Sequence, residues 1–178
     1  MSDHARLPNR FPAMDFLPVF LKLKNRPCLV VGGGEVAARK VSLLVQAGAQ
    51  VTVLAPELNS ALAALAKAGT ISYRNGIFSE ADVAGFILVI AATDDEDVNR
   101  RVSVSTQALG IPVNVVDNPS LCSFITPSII DRSPMMVAIS TGGASPVLAR
   151  QLRARLETLI PAGDAVTSTR AMALATRG

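Results

Sequence analysis

The sequence predicts an α/β fold: a Rossmann-like, doubly wound parallel sheet followed by a small α+β dimerisation segment. Three observations carry that expectation. Short apolar runs alternate with helix-period segments from residue 28 to residue 116, the pattern of repeated β-α-β units. One run, residues 86–92, is apolar throughout, as a strand buried on both faces must be. Three glycines, Gly32, Gly33 and Gly34, separate the first strand from the first helix, where dinucleotide-binding folds make their phosphate turn.

The elements follow in order. "CLVVG" (28–32) is the first strand. "EVAARKVSLLVQAG" (35–48) places Val36, Val41, Leu44 and Val45 on one helical face and ends in Gly48. "QVTVLA" (50–55) is a strand, "LNSALAALAKAG" (58–69) a second helix closed by glycine, and "ISYR" (71–74) a short strand. "FILVIAA" (86–92) is the central strand. "DEDVNRRVSVSTQALG" (95–110) is a helix with acids in its first turn, where the positive end of the helix dipole favours them. "PVNVV" (112–116) is the fifth strand.

After Asp117 the pattern changes. Residues 123–141 read as two strands around a polar turn at residues 131–134, and residues 142–160 as a Gly-rich turn and a helix. Ser145 is a natural N-cap, with Pro146 at the first helical position. Leu148, Leu152, Leu156 and Leu159 form an apolar stripe. A hairpin plus one amphipathic helix buries itself poorly, so a homodimer through this segment is expected. The division is therefore residues 1–13 as a disordered extension, 14–121 as the dinucleotide-binding domain, 122–161 as the dimerisation and substrate segment, and 162–178 as a loose tail.

Composition excludes several classes. With 178 residues, 49% of them hydrophobic and 17% charged, the chain can bury a core and is not disordered. Aromatics are 4% and Trp is absent, which speaks against a base-stacking nucleic-acid surface. The longest apolar run is about half a membrane span, and residues 1–13 hold no signal-peptide stretch. A cytoplasmic protein with no membrane and no nucleic-acid partner is expected. Two cysteines, Cys28 and Cys122, make no disulfide framework. From residue 132 onward six arginines face only Glu157 and Asp164. That segment reads either as a partner for a polyanion or as a solvated helix face.

"VVGGGEVAARK" fits G-x-G-x-x-A at Gly32, Gly34 and Ala37. Glycines allow the tight turn and the close approach of a pyrophosphate, and the helix N-terminus then offers free N–H groups to the anion. The second strand ends "VLAPEL", with no acid at its tip and Glu57 two residues late. Glu57 reads as a ribose contact or as a dipole partner of the second helix. No arginine stands there for a 2′-phosphate, so NAD is expected over NADP. In "AATDDED", Thr93 and Asp94 reach the ligand edge of the sheet, where they cap a helix, contact the dinucleotide, or do both.

Hydride transfer with loss of a proton needs a proton acceptor. The only histidine is His4, and Lys22, Lys24, Lys40 and Lys67 are all early, with Lys40 expected away from the rim. Asp117 ends the fifth strand beside the nucleotide crevice. Partial burial would make it a better base; the other reading is an Asx turn opening "DNPS". No Cys/His set at ligand spacing is present, so no protein metal site is expected.

"MDFLPVFLKLKNRPCLVVGGGEVAARK", "AATDDEDVN" and "NVVDNPSLCSFITPSIIDRSPMMVAISTGGASPVLARQLR" resemble the precorrin-2 dehydrogenase/sirohydrochlorin ferrochelatase module of sirohaem synthases, from about residue 14 to residue 161. That resemblance implies NAD-dependent oxidation of precorrin-2 to sirohydrochlorin, then Fe2+ insertion to give sirohaem. It makes Asp117, in "NVVD", the catalytic carboxylate, and the four nitrogens of the macrocycle the iron ligands. It places nucleotide contacts at Glu35 and Val36 and at Pro56 and Glu57, beside Gly32, Gly34, Thr93 and Asp94. Substrate contacts are expected from Asn114, Ser123, Ser140, Thr141 and Arg150, the arginine-rich part meeting the eight carboxylates of the substrate. Some relatives carry a phosphorylated serine where this chain has Thr141 beside Ser140. Many bacterial relatives continue into a methyltransferase domain, and this chain is expected to lack it.

Overall fold

A computed structural model describes residues 15–133 and 135–160. The expected extension (1–13), the tail (162–178) and Pro134 of the expected polar turn lie outside them.

Five parallel strands form one sheet in the order β3-β2-β1-β4-β5. They are β1 (Pro27–Val31), β2 (Gln50–Ala55), β3 (Ser72–Asn75), β4 (Leu88–Ala91) and β5 (Val113–Val115). Side chains alternate across a strand, and β1 shows the result. Cys28 and Val30 point into a core with Val41 and Leu44 of α1 (Glu35–Gln46) and Leu62 of α2 (Ser60–Lys67). Leu29 and Val31 point the other way, into a core with Phe78, Val83 and Val102 of α3 (Glu96–Ala108). Both faces are covered, as the apolar strands require. Leu62 is fully buried; truncating such a side chain to alanine costs about 2–5 kcal/mol.

Helix ends explain where the boundaries differ from those expected. The second helix starts at Ser60 because the Asn59 side chain accepts from Leu62 N–H and caps it. The third starts at Glu96 because Asp95 accepts from the N–H groups of Asp97 and Val98. The cap is thus Asp95, and neither Thr93 nor Asp94. α1 ends with Gly48 at φ +76, its N–H donating to Val45 O while Ala49 N–H donates to Leu44 O, a closure that favours glycine. Two 3-10 turns, Glu80–Val83 and Pro119–Leu121, have no counterpart in the sequence reading; they are too short for periodicity to show.

Beyond β5, strands β6 (Ser128–Arg132) and β7 (Met135–Ile139) form an antiparallel pair. The following helix, α4 (Pro146–Leu159), is capped by Ser145, which accepts from Leu148 N–H. Of α4, only Ala149 is buried, and Val147, Leu148, Leu152 and Leu159 are exposed. Of the apolar stripe, Leu156 is partly covered and the other three leucines are exposed within the described chain. No helix among the described residues is long and apolar enough to cross a membrane.

Candidate dinucleotide and proton-transfer site

In the observed strand order the chain leaves β1 and β4 in opposite directions, which opens a crevice at their C-terminal ends. Gly32, Gly33 and Gly34 lie on its floor. Gly32 has φ +127, and a Cβ there would strike the Ala92 carbonyl. A Cβ on Gly33 would strike the Glu57 carbonyl, while one on Gly34 would meet nothing within 4 Å. The first two glycines therefore let strand ends pack, and the third leaves an open space at the start of α1. Gly34 is the N-cap of that helix and no side chain caps it. The first-turn N–H groups face that open space with the positive end of the helix dipole. A pyrophosphate fits this cradle; the residues present suit a dinucleotide.

On the adenosine side, β2 runs out into Pro56 and Glu57, both exposed. The backbone is held from β3: Tyr73 Oη donates to Ala55 O (3.1 Å) or Pro56 O (3.2 Å), and Asn75 Nδ2 donates to Pro56 O (2.7 Å). Glu57 stands two residues before the α2 cap, and no acid lies in the first turn of that helix.

On the other side of the glycines is a cleft of about 220 Å³ lined by Val36, Thr93, Asp94, Asn99, Asp117 and Asn118, with Glu96 at its edge. Four of the expected site residues, Val36, Thr93, Asp94 and Asp117, meet here. Three carboxylates and no basic side chain line it, so its field favours cations. Thr93 faces α3 through its hydroxyl, which donates to Asn99 Oδ1 (2.8 Å) or Asp95 O (3.0 Å). Asp117 stands in a turn just past β5 at φ +58, the left-handed region that few non-glycine residues enter and that Asp and Asn enter more readily than most. Its side chain is exposed; the partial burial expected of it is absent.

Five expected substrate residues do not line this cleft. Asn114 is buried in β5 and spends its amide on Phe124 O (3.1 Å). Ser123 Oγ accepts from Val113 N–H (2.8 Å), at the far end of β5 from Asp117. Ser140 Oγ accepts from Gly142 N–H and Thr141 Oγ1 from Ser145 N–H, so both shape the loop before α4. Arg150 is exposed on α4.

Lys40, expected away from the rim, does not line the cleft. It lies one turn beyond Val36 on α1, half-buried, and donates to Thr126 Oγ1 (3.4 Å). Burial pulls its ammonium below the ordinary lysine value; Cys122 opposes this, Arg39 adds to it and Asp117 opposes it. A lysine near the Asp117 turn was invisible to a reading that saw only its place in the middle of a helix. Asn99 was missed for the same reason, a polar residue in a helix with no periodic signal. Cys28 is fully buried in β1, and burial pushes its thiol up to about 11. Among the described residues no group of three or more His, Cys, Asp or Glu could hold a metal ion.

Comparison with known proteins agrees with this geometry. An NAD(P)-binding family model matches residues 19–128, and a model for the central part of sirohaem biosynthesis proteins matches residues 132–159. The siroheme synthase of Methylobacillus flagellatus is 62% identical over 149 residues, which cover 84% of this chain and 32% of that protein. That of Methylococcus capsulatus is 60% identical over 148 residues, covering 83% and 31%. The chain thus spans about a third of the length of these curated relatives. The solved structure of SirC, a precorrin-2 dehydrogenase, is 30% identical with a TM-score of 0.71, covering 83% of this chain and 72% of SirC. With an NAD(P)-binding match over most of its length and a full-fold match to SirC, the chain belongs to the NAD-binding family of sirohaem biosynthesis.

Proposed function

We propose that this chain oxidises precorrin-2 to sirohydrochlorin with NAD⁺, and that the same cleft then accepts Fe2+ as a substrate for sirohaem formation. The observation that carries the reading is the meeting of Asp117 with Val36, Thr93 and Asp94 in one cleft beside the glycine cradle. Bound NAD⁺ supplies the hydride acceptor. The free N–H groups at the start of α1 hold its pyrophosphate, and Glu57 takes the ribose hydroxyls. The oxidation removes a hydride and a proton from the macrocycle; the hydride leaves to the nicotinamide and Asp117 accepts the proton, giving NADH and sirohydrochlorin. Because Asp117 is exposed, its carboxyl group can pass that proton to water between turnovers.

The three carboxylates of the cleft favour the cationic nicotinamide ring and Fe2+, and disfavour the acid arms of the macrocycle. Those arms are best placed outward, toward the arginine-rich α4. There Arg150, Ser140 and Thr141 are the proposed contacts, although they do not line the cleft. In chelation, Asp117 removes pyrrole protons while the ring nitrogens take the iron. A homodimer covers Met135, Met136, Leu148 and Leu152, and a cytoplasmic setting keeps Cys28 and Cys122 as thiols.

The test is an anaerobic assay with enzymatically made precorrin-2. NADH and sirohydrochlorin should appear together, only with NAD⁺ present; no NADH above the protein-free rate sinks the dehydrogenase reading. Sirohydrochlorin with Fe2+ and no NAD⁺ tests the second step. A second reading, a dehydrogenase without chelatase activity, draws on the name of SirC, a precorrin-2 dehydrogenase. Metal insertion at the spontaneous rate would select it.

A further inference from the structure

Asp117 sits in a left-handed conformation, which aspartate enters more readily than most non-glycine residues but still at some cost, so contacts around the turn help to hold it. The turn spans Val115 to Asn118 and is closed by Asn118 N–H donating to Val115 O (3.3 Å). That single bond is long. The sulfur of Cys122 lies across the mouth of the same turn. It accepts from Val115 N–H (3.1 Å) and, more distantly, from Asn114 Nδ2 (3.5 Å). Its thiol donates to Val115 O (3.2 Å) or to Asn118 O (3.3 Å), one at a time. Cys122 therefore grips both ends of the four residues that carry Asp117 at their crest.

Cys122 is itself anchored. Its N–H donates to Pro119 O (3.1 Å), and Ser103 Oγ of α3 donates to the neighbouring Leu121 O (2.6 Å). From the opposite face Lys40 of α1 reaches Thr126. The sulfur is thus a fixed point between two helices and the end of β5.

We infer that Cys122 is a positioning residue for the reaction: its thiol staples the Val115–Asn118 turn and so aims the Asp117 carboxylate into the cleft. The inference rests on the reading of Asp117 as proton acceptor. Cys122 touches no reacting atom, and its effect runs through Asp117 alone.

The experiment is a double-mutant cycle on precorrin-2 oxidation, with Cys122→Ala, Asp117→Asn and the pair, and with Cys122→Ser as the conservative variant. Cys122→Ala should lower kcat about tenfold, as a misaimed base does, with the KM for NAD⁺ within about twofold. Cys122→Ser should recover most of kcat, because a hydroxyl keeps both the donor and the acceptor. In the Asp117→Asn background Cys122→Ala should change nothing further. A wild-type kcat in Cys122→Ala overturns the inference, as does an equal loss in both backgrounds. Full activity in Asp117→Asn alone overturns the proton-acceptor reading and this inference with it. If Cys122→Ala does not fold, methylthiolation of the folded wild type removes the thiol donor at Cys122, since Cys28 is fully buried. A loss of kcat reversed by dithiothreitol supports the staple; a fully modified protein with unchanged kcat overturns it.

Discussion

Thr93 and Asn99 exchange three hydrogen bonds. Asn99 Nδ2 donates to Thr93 O (2.8 Å), and Asn99 Oδ1 accepts from Thr93 Oγ1 (2.8 Å) and from Thr93 N–H (3.3 Å). One buried amide thus fixes the chain as it leaves β4 for α3, and with it one wall of the cleft. Asn99→Ala leaves the Thr93 backbone groups without these partners. The expected cost is about 1–3 kcal/mol of stability, read as a lower thermal midpoint. NAD⁺ should also bind more weakly, because the wall loosens. A variant as stable as wild type would show that water replaces the amide at no cost.

The three glycines should separate by substitution. Gly34→Ala has room for its methyl and an ordinary backbone, and alanine removes chain entropy from the unfolded state. It should fold with an unchanged or slightly higher thermal midpoint. Its methyl stands where the pyrophosphate approaches, so the Kd for NADH should rise at least about tenfold. Gly33→Ala meets the Glu57 carbonyl and should be recovered mostly unfolded. Equal NADH affinity in Gly34→Ala and wild type would remove the cradle from the site.

Lys40 gives the stability a pH signature. Burial lowers its value in the folded state, so the unfolded chain holds the proton more tightly. Between the lowered folded value and the ordinary lysine value the unfolded state binds more protons, and stability rises with pH through that window. Below the window the charged, half-buried lysine is a constant cost. Lys40→Met removes both effects. It should be at least as stable as wild type at neutral pH and should lack the gain on moving to alkaline pH. Chemical denaturation at several pH values checks this; parallel curves for the two proteins would contradict it.

The sheet was legible because its inner strands, β1 and β4 above all, are buried on both faces. Residues such as Val89 and Ile90 leave no polar position to confuse the reading, and α1, α2 and α3 are each closed by a glycine at a positive φ, Gly48, Gly69 and Gly110. The cradle was legible for the same reason: Gly32 and Gly34 stand where only a strand-turn-helix puts them. What sequence could not show was which side chains the turns spend on themselves. Asn114, Ser123, Ser140 and Thr141 look like ligand contacts in a linear reading, yet each is committed to a backbone group of its own loop or strand. Lys40 and Asn99, by contrast, look like ordinary helix residues until the fold brings β5 and β4 beside them.

The measurement closest to the central claim is the rate of NADH formation by Asp117→Asn with saturating precorrin-2 and NAD⁺. Asparagine keeps the size of the side chain and tolerates φ +58, so the turn survives and only the base is lost. The expected result is a kcat lowered about 10²–10⁴-fold with the Kd for NADH unchanged. A kcat within a few-fold of wild type would contradict Asp117 as the proton acceptor.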